Sequence, residues 1–185
     1  MDGWQNRNAN HTSPKELDPG FRRDERNKRL TPSVLFVCLG NICRSPLAEA
    51  AFRAEAQRVR LDVEIDSAGT GGWHAGDPPD RRAQATALRH GIDISGYRGR
   101  QVTTADFRRF THIVALDEQN LRDLKKLKPA DATASLSLML DHAPGREGQA
   151  VADPYYGDDA GFETTLADVS AGAVGLVQAL RARVA

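Results

Sequence analysis

The chain has 185 residues, with 25 basic and 25 acidic side chains, so its formal net charge at pH 7 is zero. This length gives one domain a sizeable core and is short for two. A neutral chain has no overall field to draw it to nucleic acid or to a membrane surface, so neither is expected as a partner. No apolar run approaches the roughly 18 residues of a membrane span, and the N-terminus lacks the apolar stretch of a secretory signal, which favours a cytoplasmic protein.

Residues 1–31 are polar, contain Asn, Pro and Gly, and include the charged run RRDERNKR at positions 22–29. Because apolar periodicity is nearly absent, we expect a disordered N-terminal extension. A docking arm for nucleic acid or protein is the alternative. Acidic residues interrupt the basic run and no aromatic residue interleaves it, so that alternative is disfavoured. The folded domain is expected to span residues 32–185.

The folded region opens with short apolar runs alternating with helical patterns. VLFVC, residues 34–38, predicts a buried strand, and PLAEAAFRAEAQRV, residues 46–59, predicts a helix with Pro46 in its first turn. A second strand, VEIDSAG at 63–69, ends in the glycine-rich loop GTGGWHAGDPP. The apolar run followed by a helix is the beginning of a parallel sheet.

The pattern continues in the middle of the chain. A helix is predicted at 81–91, where Gly91 marks its end, followed by a third strand at 112–116. The segment DEQNLRDLKKL, residues 117–127, begins with an acidic residue typical of a helix cap.

The last part of the chain predicts a fourth strand, SLSLML at 135–140, a long polar loop containing ADPYYGDD at 152–159, and a final helix at 161–184. The order of elements predicts an α/β fold in three layers, with a four-stranded parallel sheet covered by helices on both faces.

Both cysteines of the chain lie close together, with Cys38 at the end of the first predicted strand and Cys43 five residues later. Two cysteines cannot build a disulfide framework, and a close pair in a reducing compartment is more often catalytic or redox-active than structural. In such folds ligands bind at the carboxyl ends of the strands. The amides of LGNIC, residues 39–43, can turn inward ahead of a helix and cradle a phosphate.

The next two residues fit the same chemistry. Arg44 can hold two phosphate oxygens and adds positive charge beside the sulfur, a setting in which cysteine becomes a thiolate nucleophile. Ser45 can donate a hydrogen bond to that sulfur. Alternatively, Cys38 is a small buried strand residue and Arg44 a solvated charge, and the local pattern leaves both interpretations open. No metal site is expected, because the cysteines and histidines show no ligand spacing.

VLFVCLGNICRSPLAEA, residues 34–50, resembles the phosphate-binding loop of the low-molecular-weight protein tyrosine phosphatase family. DSAGTGGW, DPPDRRA, HGI and ADPYYG follow in the order that the family shows. The similarity runs from residue 33 to the C-terminus. It implies a phosphotyrosine protein phosphatase I-like, Rossmann-like fold, no cofactor, and hydrolysis of phosphotyrosine through a phosphocysteine intermediate.

The resemblance implies that Cys38 is the nucleophile, Arg44 the phosphate clamp, and Asp153 the general acid and then the base. Taken alone, Asp153 is an ordinary turn aspartate before proline. Trp73 and Tyr155 are expected to wall the entrance and stack on the substrate ring. The loop residues expected to bind the substrate are Leu39, Gly40, Asn41, Ile42, Cys43 and Ser45.

The resemblance also implies a network of Asn41, Ser67 and His90 that supports the loop, although His90 alternatively caps the helix ending at Gly91. Asp117 matches a family position too, but a helix cap explains it. Cys43 is expected to capture oxidised Cys38 as a disulfide. Its alternative is to fill space beneath the loop.

Other activities resemble this one. Arsenate reductases of the same fold need further cysteines that this chain lacks. Protein-arginine phosphatases have a small polar residue where this chain has Ile42, whose bulk favours a flat phenyl ring, so phosphotyrosine is preferred. A non-catalytic phosphate-binding module is the alternative from another class. The implied partners are phosphotyrosine-containing proteins, with a tyrosine kinase as one candidate, and the neutral surface favours a monomer.

Overall fold

The computed structural model describes residues 31–184. The disordered extension expected for residues 1–31, and its docking alternative, lie outside the described residues apart from Thr31. In chain order the described residues form β1 (Ser33–Cys38), α1 (Arg44–Arg58), β2 (Glu64–Gly69), α2 (Arg81–Arg89), α3 (Asp106–Arg109), β3 (His112–Ala115), α4 (Glu118–Leu127), β4 (Ser135–Leu138), a 3-10 turn (Met139–His142) and α5 (Asp159–Val184).

The strands form one parallel sheet in the order β2-β1-β3-β4. Every residue of the central strand β1 is buried, because helices cover both faces of the sheet. A strand in that position needs a continuous apolar run, which is why VLFVC predicted it. In register, Val37 lies opposite Ala68 on one side and Ala115 on the other, so the ends of three strands meet at one edge.

Two apolar cores confirm the predicted three layers. Phe36 of β1 contacts Phe52 of α1, with ring centroids 5.3 Å apart, in a core that also contains residues of α2 and α5. Leu35 points to the opposite face, where it packs with Phe107 of α3 and Leu124 of α4. Alternating residues of one strand thereby anchor helices on both faces of the sheet.

All the predicted elements are found, and their ends differ from the predicted ones by no more than two residues. The fourth strand stops at Leu138, whose amide donates to Asp141 Oδ2 at 2.9 Å and so begins the 3-10 turn. The short helix α3 was not predicted, because four residues are too few for a helical period. α1 starts at Arg44, two residues before the predicted start.

Two helix boundaries follow the predicted chemistry. α2 ends beside Gly91, whose φ of +78° is the left-handed conformation that glycine adopts readily. The amide of Asn120 in α4 donates to Asp117 Oδ1 at 2.7 Å, so Asp117 caps this helix. Within residues 31–184, no helix has the length and apolar character needed to cross a membrane.

Candidate active site

A pocket of about 400 Å³ opens at the carboxyl end of the sheet, beside the loop that joins β1 to α1. Eleven residues from three segments of the chain line it: Cys38, Leu39, Gly40, Ile42, Cys43, Arg44, Trp73, His74, Asp153, Tyr155 and Tyr156. This is the edge of an open α/β sheet where ligands bind. The structure therefore brings together most of the predicted site residues.

Cys38 ends β1 and is only 3% exposed, yet it lines the pocket. Its Sγ accepts a hydrogen bond from the amide of Asn41 at 3.3 Å and lies 3.1 Å from Ser45 Oγ. Two hydrogen-bonding groups therefore lie around one sulfur at the edge of the pocket.

Asn41 holds the loop in an unusual conformation. Its φ is +57°, in the left-handed region that asparagine tolerates better than most residues. Its Nδ2 donates to Ser45 Oγ at 2.9 Å and to Ser67 Oγ at 3.0 Å, and its Oδ1 accepts from the amide of Arg100 at 2.9 Å. Three segments thus fix one side chain of the loop.

The network continues to a buried carboxylate that sequence reasoning missed. Ser67 Oγ donates to Glu49 Oε2 at 2.7 Å, and Arg53 donates to Glu49 Oε1 at 2.7 Å. Burial raises the pKa of Glu49, although the bonds from Ser67 and Arg53 oppose it. An acidic residue within the apolar segment PLAEAAF was the available signal, because acidic side chains are rarely buried without a partner.

The prediction that His90 supports the loop is wrong. Its Nε2 lies 2.9 Å from Glu163 of α5, and half of its side chain is exposed. His90 is the C-cap residue of α2, so the alternative stated above describes its place. In the described structure it is Glu49 that accepts the hydrogen bond from Ser67.

Arg44 is the first residue of α1, and its side chain is 4% exposed. A cation at a helix N-terminus opposes the helix dipole, so it needs compensating anions. One terminal nitrogen pairs with Asp117 Oδ2 at 2.5 Å, and the other pairs with Asp153 Oδ2 at 2.6 Å. Burial acts to lower the pKa of Arg44, but the charges of Cys38, Asp117 and Asp153 outweigh it and raise the pKa.

Asp117 therefore does more than the predicted helix capping. Oδ1 accepts the cap bond from Asn120 while Oδ2 holds Arg44. Asp153 lies on the loop before α5, is partly exposed, and accepts the amide of Tyr155 through Oδ1 at 3.1 Å. A carboxylate at the pocket beside a buried guanidinium is placed to exchange a proton with a bound ligand.

Cys43 is buried, and it precedes α1 without a side-chain cap bond to that helix. Burial raises the pKa of this thiol strongly, and the negative charges of Asp80, Cys38 and Asp153 add to the effect. Cys43 is therefore a neutral thiol at physiological pH.

Aromatic side chains surround the pocket entrance. Trp73 is 69% exposed and Tyr156 is 97% exposed, while the rings of Tyr155 and Tyr156 meet edge to face at 4.9 Å. His74, which sequence reasoning missed, also lines the pocket and lies 3.0 Å from Asp77. Exposed aromatic rings at a pocket are typical of surfaces that bind ligands.

No group of three or more His, Cys, Asp or Glu side chains that could hold a metal ion occurs within residues 31–184.

Proteins of known family resemble this chain in sequence and in fold. The fold and the pocket place the chain among enzymes that hydrolyse phosphate monoesters. A family profile described as "Low molecular weight phosphotyrosine protein phosphatase" matches residues 33–185, and the chain belongs to this family. The resemblance stated from the sequence is therefore confirmed.

Three similar proteins illustrate the match. A low molecular weight protein-tyrosine-phosphatase of Streptomyces coelicolor is 44% identical over 160 residues, which cover 84% of this chain and 97% of the relative. The crystal structure of YfkJ from Bacillus subtilis has a TM-score of 0.76 and 38% identity, covering 82% of this chain and 96% of that one. A drosophila arginine phosphatase structure has a TM-score of 0.74 and 30% identity, covering 79% of this chain and 96% of that one.

Proposed function

We propose that the protein hydrolyses phosphotyrosine in proteins through a phosphocysteine intermediate. The observation that carries the proposal is the convergence on one pocket of Cys38, the buried Arg44 and Asp153. Asp153 reaches Arg44 although 109 residues separate them in sequence. This is the set of groups that transfer of a phosphoryl group to sulfur requires.

In the first step, the thiolate of Cys38 attacks phosphorus and the bond from phosphorus to the tyrosine oxygen breaks. Arg44 and the loop amides stabilise the charge on the non-bridging phosphoryl oxygens. Asp153 gives its proton to the departing phenolate. A general acid of this kind accelerates a reaction by roughly 10²- to 10⁴-fold.

In the second step, water attacks the phosphocysteine. Asp153, now a carboxylate, takes a proton from the water, and inorganic phosphate leaves with the sulfur as the leaving group. The hydroxyl of Ser45, 3.1 Å from Sγ, stabilises the thiolate that is released. Asn41 and Ser67 keep the loop in the required shape through their shared hydrogen bond.

Substrate class follows from the rim and from Ile42. Trp73 and Tyr155 offer flat apolar surfaces to a phenyl ring, and the branched side chain of Ile42 also lines the pocket. Arginine phosphatase is the second candidate, because the drosophila arginine phosphatase has a similar structure. Wild-type protein should prefer phosphotyrosine over phosphoarginine peptides, and Ile42→Thr should shift the ratio toward phosphoarginine. An unchanged ratio would remove Ile42 from the argument.

The setting we propose is a cytoplasmic monomer acting on phosphotyrosine proteins, with a tyrosine kinase as one candidate partner.

Hydrolysis of 4-nitrophenyl phosphate with chelator present, at about pH 5 to 7, where a carboxylic acid general acid can act, tests the proposal. Wild type should turn over, Cys38→Ser should be inactive, and Asp153→Ala should lose most of its rate. Asp159→Ala removes an exposed carboxylate at the start of α5 and is the matched control. Undiminished turnover by a folded Cys38→Ser would overturn the mechanism.

A further inference from the structure

The guanidinium of Arg82, on α2, links two segments that carry the site. One of its terminal nitrogens donates to the carbonyl oxygen of Gly157 at 3.1 Å, and the other donates to that of Tyr155 at 3.0 Å. Both carbonyls belong to the loop that contains Asp153. No step proposed above uses Arg82.

The same guanidinium is fixed to the N-terminus of α2. It donates to Asp80 through Nε at 3.1 Å and through a terminal nitrogen at 2.9 Å, and the backbone amide of Arg82 also donates to Asp80. Hydrogen bonds from Arg82 lower the pKa of Asp80 against the opposing effect of burial, so Asp80 is a carboxylate at neutral pH.

Asp80 connects this arrangement to the phosphate loop. Its backbone amide donates to the carbonyl oxygen of Ile42 at 2.8 Å. Beneath the guanidinium lies the ring of Phe162, whose centroid is 4.7 Å away and which is fully buried. Asp80 and Arg82 therefore bridge the loop of Cys38 to the loop of Asp153 on a rigid base.

We propose that Arg82 is a positioning residue that holds Asp153 at the correct distance from Cys38. This inference rests on the proposed function, because it assigns Arg82 a purpose in the same reaction. The planar fork of arginine satisfies two carbonyls and one carboxylate at once, which a lysine ammonium cannot do with the same geometry. Without the fork, the loop stays attached to the domain but Asp153 moves relative to the leaving oxygen.

The test uses two esters that differ in their need for a proton. A dinitrophenolate leaves without help, whereas an unsubstituted phenolate must be protonated by Asp153. The value of kcat/KM reports the steps up to cleavage of the ester bond. For Arg82→Gln we expect kcat/KM with phenyl phosphate to fall about tenfold to hundredfold, and with 2,4-dinitrophenyl phosphate by less than about twofold. Arg82→Lys should fall between Arg82→Gln and wild type.

Arg89→Gln is the matched control. Arg89 is also on α2, but it bonds Glu163 of α5 through Nε at 2.9 Å and Thr86 of its own helix instead of either loop. The substitution Arg89→Gln should leave kcat/KM unchanged for both esters. An equal loss on both esters for Arg82→Gln, or no loss on either, would overturn the positioning role.

Hydrogen exchange gives a readout that does not depend on catalysis. The amide of Gly157 donates to the carbonyl oxygen of Pro154 at 2.9 Å and reports the order of the loop. The amide hydrogen of Gly157 should exchange faster in Arg82→Gln than in wild type, and its exchange rate should be unchanged in Arg89→Gln. If wild type hydrolysed neither ester, the proposed function would fall. The exchange rate of the Gly157 amide would then be the remaining test of the contact between Arg82 and the loop. An unchanged rate in Arg82→Gln would count against that contact.

Discussion

Asp153 and Arg44 form an ion pair across the pocket, with Oδ2 of the carboxylate 2.6 Å from a terminal nitrogen of the guanidinium. Asp117 pairs with the other terminal nitrogen, so the buried guanidinium of Arg44 already contacts two carboxylates. A phosphoryl group held by Arg44 brings further negative charge close to both carboxylates. Affinity for phosphate is therefore coupled to the charge on Asp153.

Asp153→Asn should separate catalysis from binding. We expect kcat to fall by roughly 10²- to 10⁴-fold, because the proton donor is lost. Competitive inhibition by inorganic phosphate should become tighter, because one negative charge beside the phosphate is removed. Steady-state kinetics with phosphate as inhibitor measures both effects, and Asp159→Asn should alter neither. Weaker phosphate inhibition in Asp153→Asn would contradict the coupling.

Substitutions at Asn41 should distinguish backbone conformation from hydrogen bonding. Asn41→Gly allows the left-handed conformation but removes the side-chain bonds to Ser45 and Ser67. Asn41→Ala removes the same bonds and also disfavours the left-handed conformation. Both variants should lower kcat at least about tenfold, because small misplacements of reacting groups are costly. Asn41→Ala should also unfold at lower urea concentration, being about 1 kcal/mol less stable than Asn41→Gly.

The control for Asn41 is Arg60, an exposed residue with a similar φ of +56°. Arg60→Gly should leave kcat unchanged and should not destabilise the fold. A wild-type kcat in Asn41→Gly would show that the side-chain bonds are dispensable.

Stability should fall with acid partly through Asp106. Burial acts to raise its pKa, but bonds from Arg100 and Thr103 outweigh it and lower the pKa from its ordinary 3.8. A carboxyl with a lowered folded-state pKa stabilises the fold above its ordinary pKa, and that contribution is lost as pH falls through the folded value. The ion pair of Asp106 with Arg100 also fixes the position of Arg100, whose backbone amide donates a hydrogen bond to Asn41 in the phosphate loop.

Asp106→Asn should therefore cost about 1–3 kcal/mol of unfolding free energy at neutral pH, because a buried charge-assisted network is broken. The difference from wild type should shrink below the ordinary pKa, as urea titrations at neutral and acidic pH would measure. Asp131→Asn, in an exposed pair with Arg108, should change stability little. A pH-independent loss for Asp106→Asn would mean that packing rather than charge is responsible.

More activity should be recovered after oxidation while Cys43 is present. Peroxide converts the Cys38 thiolate to a sulfenic acid and releases water or hydroxide. Attack by the sulfur of Cys43 then forms the disulfide and releases the sulfenic oxygen as water. Dithiothreitol should restore activity to oxidised wild type but to a smaller fraction of oxidised Cys43→Ser, each relative to its own reduced form. Equal recovery of both proteins would argue against capture by Cys43.

The rate of that disulfide step should rise with pH. Burial raises the pKa of Cys43, with Asp80 and Cys38 adding to the effect, and only its thiolate attacks efficiently. Disulfide formation, followed by mass spectrometry of the peptide containing both cysteines, should be slower at about pH 6 than at about pH 9.

The elements that the sequence predicted are those whose signal is local. β1 is buried on both faces, so its apolar run was sufficient, and Asp117 lies next to the helix that it caps. The end of β4 was missed because it depends on one bond from Leu138 to Asp141, in a segment that is apolar on both sides of the boundary.

The site divides in the same way. Cys38 and Arg44 share one loop and could be recognised together, whereas Asp153 was found only through the family resemblance. Glu49 and Arg82 were not predicted, because their partners are distant in sequence. Glu49 bonds Ser67, and Arg82 bonds the carbonyl oxygens of Tyr155 and Gly157. His90 was misplaced because a histidine at a helix end carries no sign of which neighbour it will meet.

The 73- and 109-residue separations of Arg44 from Asp117 and Asp153 also bear on how the protein is made. A chain leaving the ribosome presents the cysteine and the arginine early, and both carboxylates that offset the arginine much later. The pocket is complete only when synthesis has passed Asp153, so a shorter nascent chain cannot assemble it.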